Sequence, residues 1–190
     1  MMWRRGFLAL GVALLLGSGW VSTGCGGGGG GGGPTSPPPP STGITFSSDS
    51  GGGSNSISLS SGGGSGSVFI LDVEASNVTD LYGVSFTLHY PAQLLAYSRN
   101  SESEGTFLSE GGSVDTDLQA SERQAGEVTV GISRLGEVSG ASGSGLLLSL
   151  EFTRRSAGTG RMDMMDHDAL DSYGDVQLDV TWVSGSVTVR

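Results

Sequence analysis

The sequence predicts an all-β protein, a β-sandwich behind an export signal and a Gly/Pro-rich tether. Three observations predict it. Short segments in the last two-thirds of the chain alternate apolar and polar residues, the period of a half-buried strand. Gly, Ser or Pro bounds each segment at close intervals, the punctuation of a sandwich or barrel. No segment carries a convincing helical period, although residues 114–123 leave room for one helical turn.

Taken from the start of the chain, Arg4 and Arg5 precede an apolar stretch at residues 7–16, the n-region and h-region of an export signal. That stretch is too short to span a bilayer, which needs about 20 apolar residues. The only cysteine, Cys25, follows Val21, Ser22, Thr23 and Gly24 and precedes a glycine run. This resembles a bacterial lipobox, in which the cysteine is lipidated and becomes the mature N-terminus. Ser22 stands where lipoboxes usually carry Leu, and ordinary cleavage after Gly24 is the alternative. Residues 26–43 read as a disordered, flexible tether, with glycines at 26–33 and stiffer polyproline geometry at Pro37, Pro38, Pro39 and Pro40. Such a stretch spans roughly 20–25 Å, enough to hold a domain clear of a lipid surface.

Residues 44–190 are the folded domain, long enough for a single core. With one cysteine in the chain, no intrachain disulfide supports it. All nine basic residues are Arg, and Arg4 and Arg5 lie in the signal; the remainder face nineteen acidic residues. So acidic a body argues against nucleic acid, whose phosphates need a basic footprint. It argues equally against a peripheral anionic-membrane surface, so membrane contact is expected through the lipid anchor alone.

Within the domain, residues 44–46 suggest a short first strand. Residues 47–66 read as polar and mobile, with Ile57 and Leu59 alternating in an edge strand. Residues 68–75 are apolar on both faces, as in a strand covered on both sides. Val84, Phe86, Leu88 and Tyr90 alternate with Ser85, Thr87 and His89. Val128, Val130 and Ile132 alternate with Thr129, Gly131 and Ser133, and Leu146, Leu148, Leu150 and Phe152 with Leu147, Ser149, Glu151 and Thr153. In each strand the first set is assigned to the core. Residues 161–170 and 176–180 are weaker strands, and residues 183–189 close the domain.

Four linked segments carry a resemblance: residues 82–97 (YGVSFTLHYPAQLLAY), 104–112 (EGTFLSEGG), 127–136 (EVTVGISRLG) and 142–152 (SGSGLLLSLEF), followed by SGSVTV at 184–189. In order and wording they resemble the cohesin family over roughly residues 44–190. The resemblance implies a jelly-roll β-sandwich of about nine strands. It implies non-catalytic binding of dockerins, small calcium-loaded modules, through one flat sheet face. Gly83 and Ser85 stand where the family often carries Asn and Asp contacts, and Pro91 directly follows Tyr90 without the usual Asp. The framework is kept while the usual polar contacts are replaced, so the partner is open. A cell-surface carbohydrate-binding module and a structural accessory of a secretion or envelope assembly are the alternatives.

The candidate partner face is the outward polar set: Ser85, Thr87 and His89, with Thr129, Gly131 and Ser133. These residues are small and uncharged apart from the histidine, so a partner can approach closely; an ordinary solvated sheet face has the same pattern. His89 and His167 are the two side chains available as bases for serine catalysis, but neither accompanies a Gly-x-Ser-x-Gly elbow, which favours surface histidines. Asp163, Asp166, Asp168, Asp171 and Asp175 offer oxygen ligands of the kind calcium prefers. Counted from Asp166, however, Leu170 and Asp171 break the EF-hand pattern, and a solvated acidic loop is the preferred reading. The aromatic residues are scattered, so polysaccharide binding has one candidate platform, Trp182, for which structural packing is the preferred reading.

Overall fold

A computed structural model describes residues 43–190. The expected export signal at 1–25, with Cys25, and all but the last residue of the expected tether at 26–43 lie outside the described residues. The strands are β1 (Ile44–Ser48), β2 (Ser56–Gly63), β3 (Val68–Leu81), β4 (Gly83–His89), β5 (Leu95–Tyr97) and β6 (Ser103–Glu104). One helical turn, α1 (Thr106–Ser109), precedes β7 (Thr116–Gln124), β8 (Glu127–Arg134), β9 (Ala141–Arg154), β10 (Gly158–Leu170), β11 (Thr181–Val183) and β12 (Gly185–Val189). Nine of these strands have five residues or more; β5, β6 and β11 have two or three.

The strands form two sheets. One runs β1-β12-β10-β4-β8-β7, the other β11-β2-β3-β9-β5, with β6 also paired to β9. All pairings are antiparallel except that of β11 with β2. The apolar members of each alternating strand meet between the sheets. Phe69, Leu71 and Val73 of β3 and Leu150 and Phe152 of β9 face Val84, Phe86 and Leu88 of β4 and Val128, Val130 and Ile132 of β8, all buried. The Phe152 ring lies near the centre, 5.1 Å from Tyr90, 5.8 Å from Tyr97 and 6.4 Å from Phe69.

Four local expectations change. Residues 114–123 hold no helical turn: 116–124 form edge strand β7, whose Leu118 and Ala120 are only half-buried, so its alternation is weak in apolar contrast. The helical turn sits at Thr106–Ser109 and is stopped by Glu110, Gly111 and Gly112, all at positive φ. Ile57 and Leu59 lie in no edge strand; β2 is held between β11 and β3, and both side chains are fully buried. Residues 176–180 are not a strand: Val176 makes one isolated bridge to Leu170, and Leu178 is exposed. Finally, the register of β9 slips between its pairings with Val73 and Glu74, so that Leu147 as well as Leu148 is buried while Leu146 is half-exposed. That β-bulge turns an expected outward residue inward.

Candidate partner-binding face

The outer face of the first sheet is laid out in cross-strand rows. β4 and β8 pair so that Ser85 opposes Gly131, Thr87 opposes Thr129, and Gly83 opposes Ser133. All six sequence-chosen residues therefore lie on one face, because strands of period two point every second side chain the same way. Their inward neighbours Val84, Phe86, Leu88, Val128, Val130 and Ile132 are in the core. Ser85, His89 and Thr129 are exposed; Thr87, Gly131 and Ser133 are half-buried. His89 opposes Glu127, with Nε2 3.9 Å from Oε1, at one end of the face.

The flanking strands complete the rows. On β7, Asp117 opposes Ser133, Gln119 opposes Gly131 and Ser121 opposes Thr129. On β10, Leu170 opposes Gly83, Asp168 opposes Ser85, Met165 opposes Thr87 and Asp163 opposes His89. The face is thus a floor of small residues on β4 and β8 between walls of longer side chains. At its Gly83 end the floor sinks into a depression of about 290 Å3, bordered by Asp117, Gln119 and Leu170. Met165, 49% exposed, is the large apolar side chain of the floor's margin.

Sequence reasoning found the floor and missed the walls. β7 has too little apolar contrast to be read as a strand. On β10 a bulge between Met165 and Asp168 breaks the alternation, with Asp166 at φ 46°. The only sequence signal for that break is the acidic run itself, since Asp tolerates the left-handed region better than most residues.

Asp163, Asp166 and Asp168 lie in β10 rather than in the solvated loop preferred from the sequence, and Asp171 and Asp175 follow its end. Among the described residues no three His, Cys, Asp or Glu side chains are grouped to hold a metal. Asp163 accepts hydrogen bonds from Arg161, at 2.7 Å from Nη2. Asp171 spends Oδ1 on the backbone N–H groups of Tyr173 and Asp175. Arg161 also binds Asp49 through both terminal nitrogens. This hydrogen bonding holds the Asp49 carboxyl below the usual range and pushes the Arg161 guanidinium up.

Trp182 is only half-exposed, and two rings pack against its own. His167 stacks on it at 4.5 Å and 12°, and Phe86 packs at 6.1 Å. His167 therefore packs on a ring rather than beside a nucleophile, and Trp182 packs against the core, the reading preferred from the sequence.

The geometry is that of an almost wholly antiparallel two-sheet β-sandwich with an open polar face on one sheet. No family model and no curated protein matches the sequence. Solved structures do match. The chain is similar to a type II cohesin domain from the cellulosome of Acetivibrio cellulolyticus, with TM-score 0.59 and 13% identity over 72% of this chain and 95% of that one. It is similar to the sixth cohesin of scaffoldin B from the same organism, solved with a Cel5 dockerin mutant, with TM-score 0.56 and 20% identity over 71% and 99%. A non-cellulosomal cohesin from the archaeon Archaeoglobus fulgidus gives TM-score 0.52 and 18% identity over 69% and 88%. The chain has the cohesin fold.

Proposed function

We propose that this chain is a non-catalytic, protein-binding module that docks a dockerin-type partner on the outer face of β10, β4, β8 and β7. The observation that carries the reading is the alignment of Ser85, Thr87, Thr129 and Gly131 into an open floor, in a fold like that of a cohesin solved with a dockerin. Departures at Gly83 and Ser85 from the polar contacts usual in the family support a partner with altered chemistry at those positions. We further propose that the signal at residues 1–25 exports the chain and that lipidation of Cys25 holds it at the cell envelope, the outer membrane or cell surface, with residues 26–43 as spacer. Mass spectrometry of the protein from its native membrane checks this part: Cys25 without a diacylglyceryl adduct removes the anchor.

Docking is tested with the double variant Thr87→Arg, Thr129→Arg. Two long side chains on the floor leave the core untouched, so the variant stays folded by circular dichroism. It is expected to lower affinity for dockerin-type modules or exported proteins captured by the unmodified domain at least about a hundredfold, the effect of burying uncompensated charge at an interface centre. Undiminished capture by the folded variant would sink the reading.

A further inference from the structure

We propose that two copies of this chain pair antiparallel through the free edge of β7, joining their six-stranded sheets into one about a two-fold axis at Ala120.

Edge length picks out β7. Strands at a sheet margin are usually kept short, because their unpaired N–H and C=O groups template another strand. β1, β5 and β11, the other strands that end a sheet, have three to five residues. β7 has nine. It pairs with β8 alone, and no backbone group of Thr116–Gln124 bonds elsewhere among the described residues.

The charge pattern picks out the occupant, a second copy. Ala120 is the midpoint of β7. Two antiparallel copies in full register put Asp117 opposite Arg123 at both ends, Leu118 opposite Glu122, Gln119 opposite Ser121, and Ala120 opposite itself. Asp117 and Arg123 are both exposed, and neither forms an ion pair among the described residues. Asp117 takes one hydrogen bond from its own strand, from Gln119 Nε2 at 2.9 Å. Glu122, the remaining charged residue of β7, is already held: it accepts from the Tyr90 hydroxyl and, at 3.1 Å, from Arg99 Nη2. A slip of two residues sets Asp117 against Ser121 or Arg123 against Gln119, so charge selects the full register.

The neighbouring loop repeats the polarity. Near one end of β7 the Thr116 hydroxyl donates to Glu104, and near the other the exposed Arg99 reaches Glu122. Each copy thus offers an acidic end, Asp117 with Glu104, to the other's basic end, Arg123 with Arg99. Leu118 and Ala120 pack against the core but are only half-buried, and the second strand covers part of what they leave exposed.

The geometry also limits the contact. A two-fold pairing uses the same edge of both copies, so growth closes at the dimer. The bulge at Arg123 ends the regular ladder. So short a contact falls below the ~1,200 Å2 of stable complexes and belongs to the weak class. Because the axis is normal to the sheet, the outer faces of both copies lie on one side of the dimer.

The test uses the full chain carrying Cys25→Ser in sedimentation velocity. Dimer is expected at about 0.1–1 mM and monomer at about 10 µM, as for a weak contact. Asp117→Arg and Arg123→Asp each turn two opposed pairs into like-charge pairs, and each is expected to weaken dimerisation about tenfold. The double variant Asp117→Arg, Arg123→Asp exchanges the charges and is expected to restore the dimer. An equimolar mixture of the two single variants is expected to do the same, because opposite charges then meet across the axis. Register is read by oxidative cross-linking. Ala120→Cys, opposite itself, is expected to join the copies by a disulfide, whereas Thr116→Cys, about 27 Å from its equivalent along the ladder, is not. Monomer throughout the concentration range, charge reversals that leave association unchanged, an exchange that fails to recover it, or cross-linking at Thr116→Cys as fast as at Ala120→Cys overturns the inference.

Discussion

Arg134 is 2% exposed, with Nη2 donating to Glu110 Oε1 at 2.6 Å and with Nε and Nη1 lacking any partner. A buried guanidinium with one carboxylate and two idle donors is costly, because desolvation outruns one ion pair. Two substitutions separate the contributions. Glu110→Ala strands the charge and is expected to destabilise by roughly 1–3 kcal/mol, reduced from a fully buried pair because Glu110 is half in solvent. Arg134→Met removes charge and idle donors together and is expected to be neutral or stabilising. Urea unfolding of both variants checks the contrast; a larger loss from Arg134→Met than from Glu110→Ala overturns it. Asp80 is the opposite case, a carboxylate well supplied with donors. It accepts from Gly140 N at 2.8 Å and from Ser172 Oγ at 2.9 Å, tying the end of β3 to two loops. Those bonds, Ser172 first, hold its carboxyl below the usual range. A lowered folded value means the stabilisation is complete above the unfolded value of about 3.9 and is lost as pH falls through the folded one. Asp80→Asn keeps a residue tolerant of the φ of 54°. It is expected to lower the unfolding midpoint at pH 6, and the gap to the unmodified protein should close toward pH 2. A gap constant with pH would assign Asp80 a purely steric role.

At the scale of elements, two glycines, Gly105 at the N-cap of α1 and Gly131 in β8, behave oppositely. A Cβ on Gly105, beside α1, would sit 2.0 Å from the Leu146 carbonyl oxygen, so backbone must move. Gly131 has only the Val84 oxygen, at 4.0 Å, and an ordinary φ. Gly105→Ala is expected to destabilise by about 1–3 kcal/mol or more. Gly131→Ala should stabilise β8 by about 0.5–1 kcal/mol while raising the floor under the partner. Thermal unfolding of both, beside partner affinity for the second, measures the trade. The same contrast explains what was legible in the sequence. β4 and β8 pair through all seven positions of β4 without a slip, so period two carried straight from sequence to face, and the floor was readable. β9 and β10 each contain a bulge, and one extra residue reverses the phase of everything after it. Leu147 and the wall residues Asp168 and Leu170 were therefore not readable from alternation. β7 failed for another reason: an edge strand buries little, so its sequence need not show contrast. Trp182 packs structurally, as its size favours, but its neighbours His167 and Phe86 come from the other sheet, a contact no local pattern encodes.

For the molecule as a whole, the first strand is joined to the last. Ile44 pairs with Val189 and Ser48 with Gly185, and Gly158 of β10 continues the Ile44 row. The chain therefore enters at the end of the sheet nearer His89 and Asp163, while the depression beside Gly83 lies toward the other end. A domain held through its residue-43 end carries the depression on the side away from that attachment. β1 also closes an edge. Its Phe46 ring packs 6.3 Å from Phe69, and Asp49, just after it, holds Arg161. Removing residues 43–49 bares the hydrogen-bonding edge of β12, takes two partly buried apolar side chains from the core margin and frees Arg161 from one of its carboxylates. The expected cost is about 2–3 kcal/mol by urea unfolding, mainly from Ile44 and Phe46. The bared edge also makes the truncated chain prone to self-pairing, visible as dimer in sedimentation velocity. Because β10, β4, β8 and β7 are untouched, partner affinity of the monomeric fraction should change less than twofold. Truncation that leaves stability unchanged would show that β12 suffices as an edge, and that β1 serves only to lead the chain into the domain.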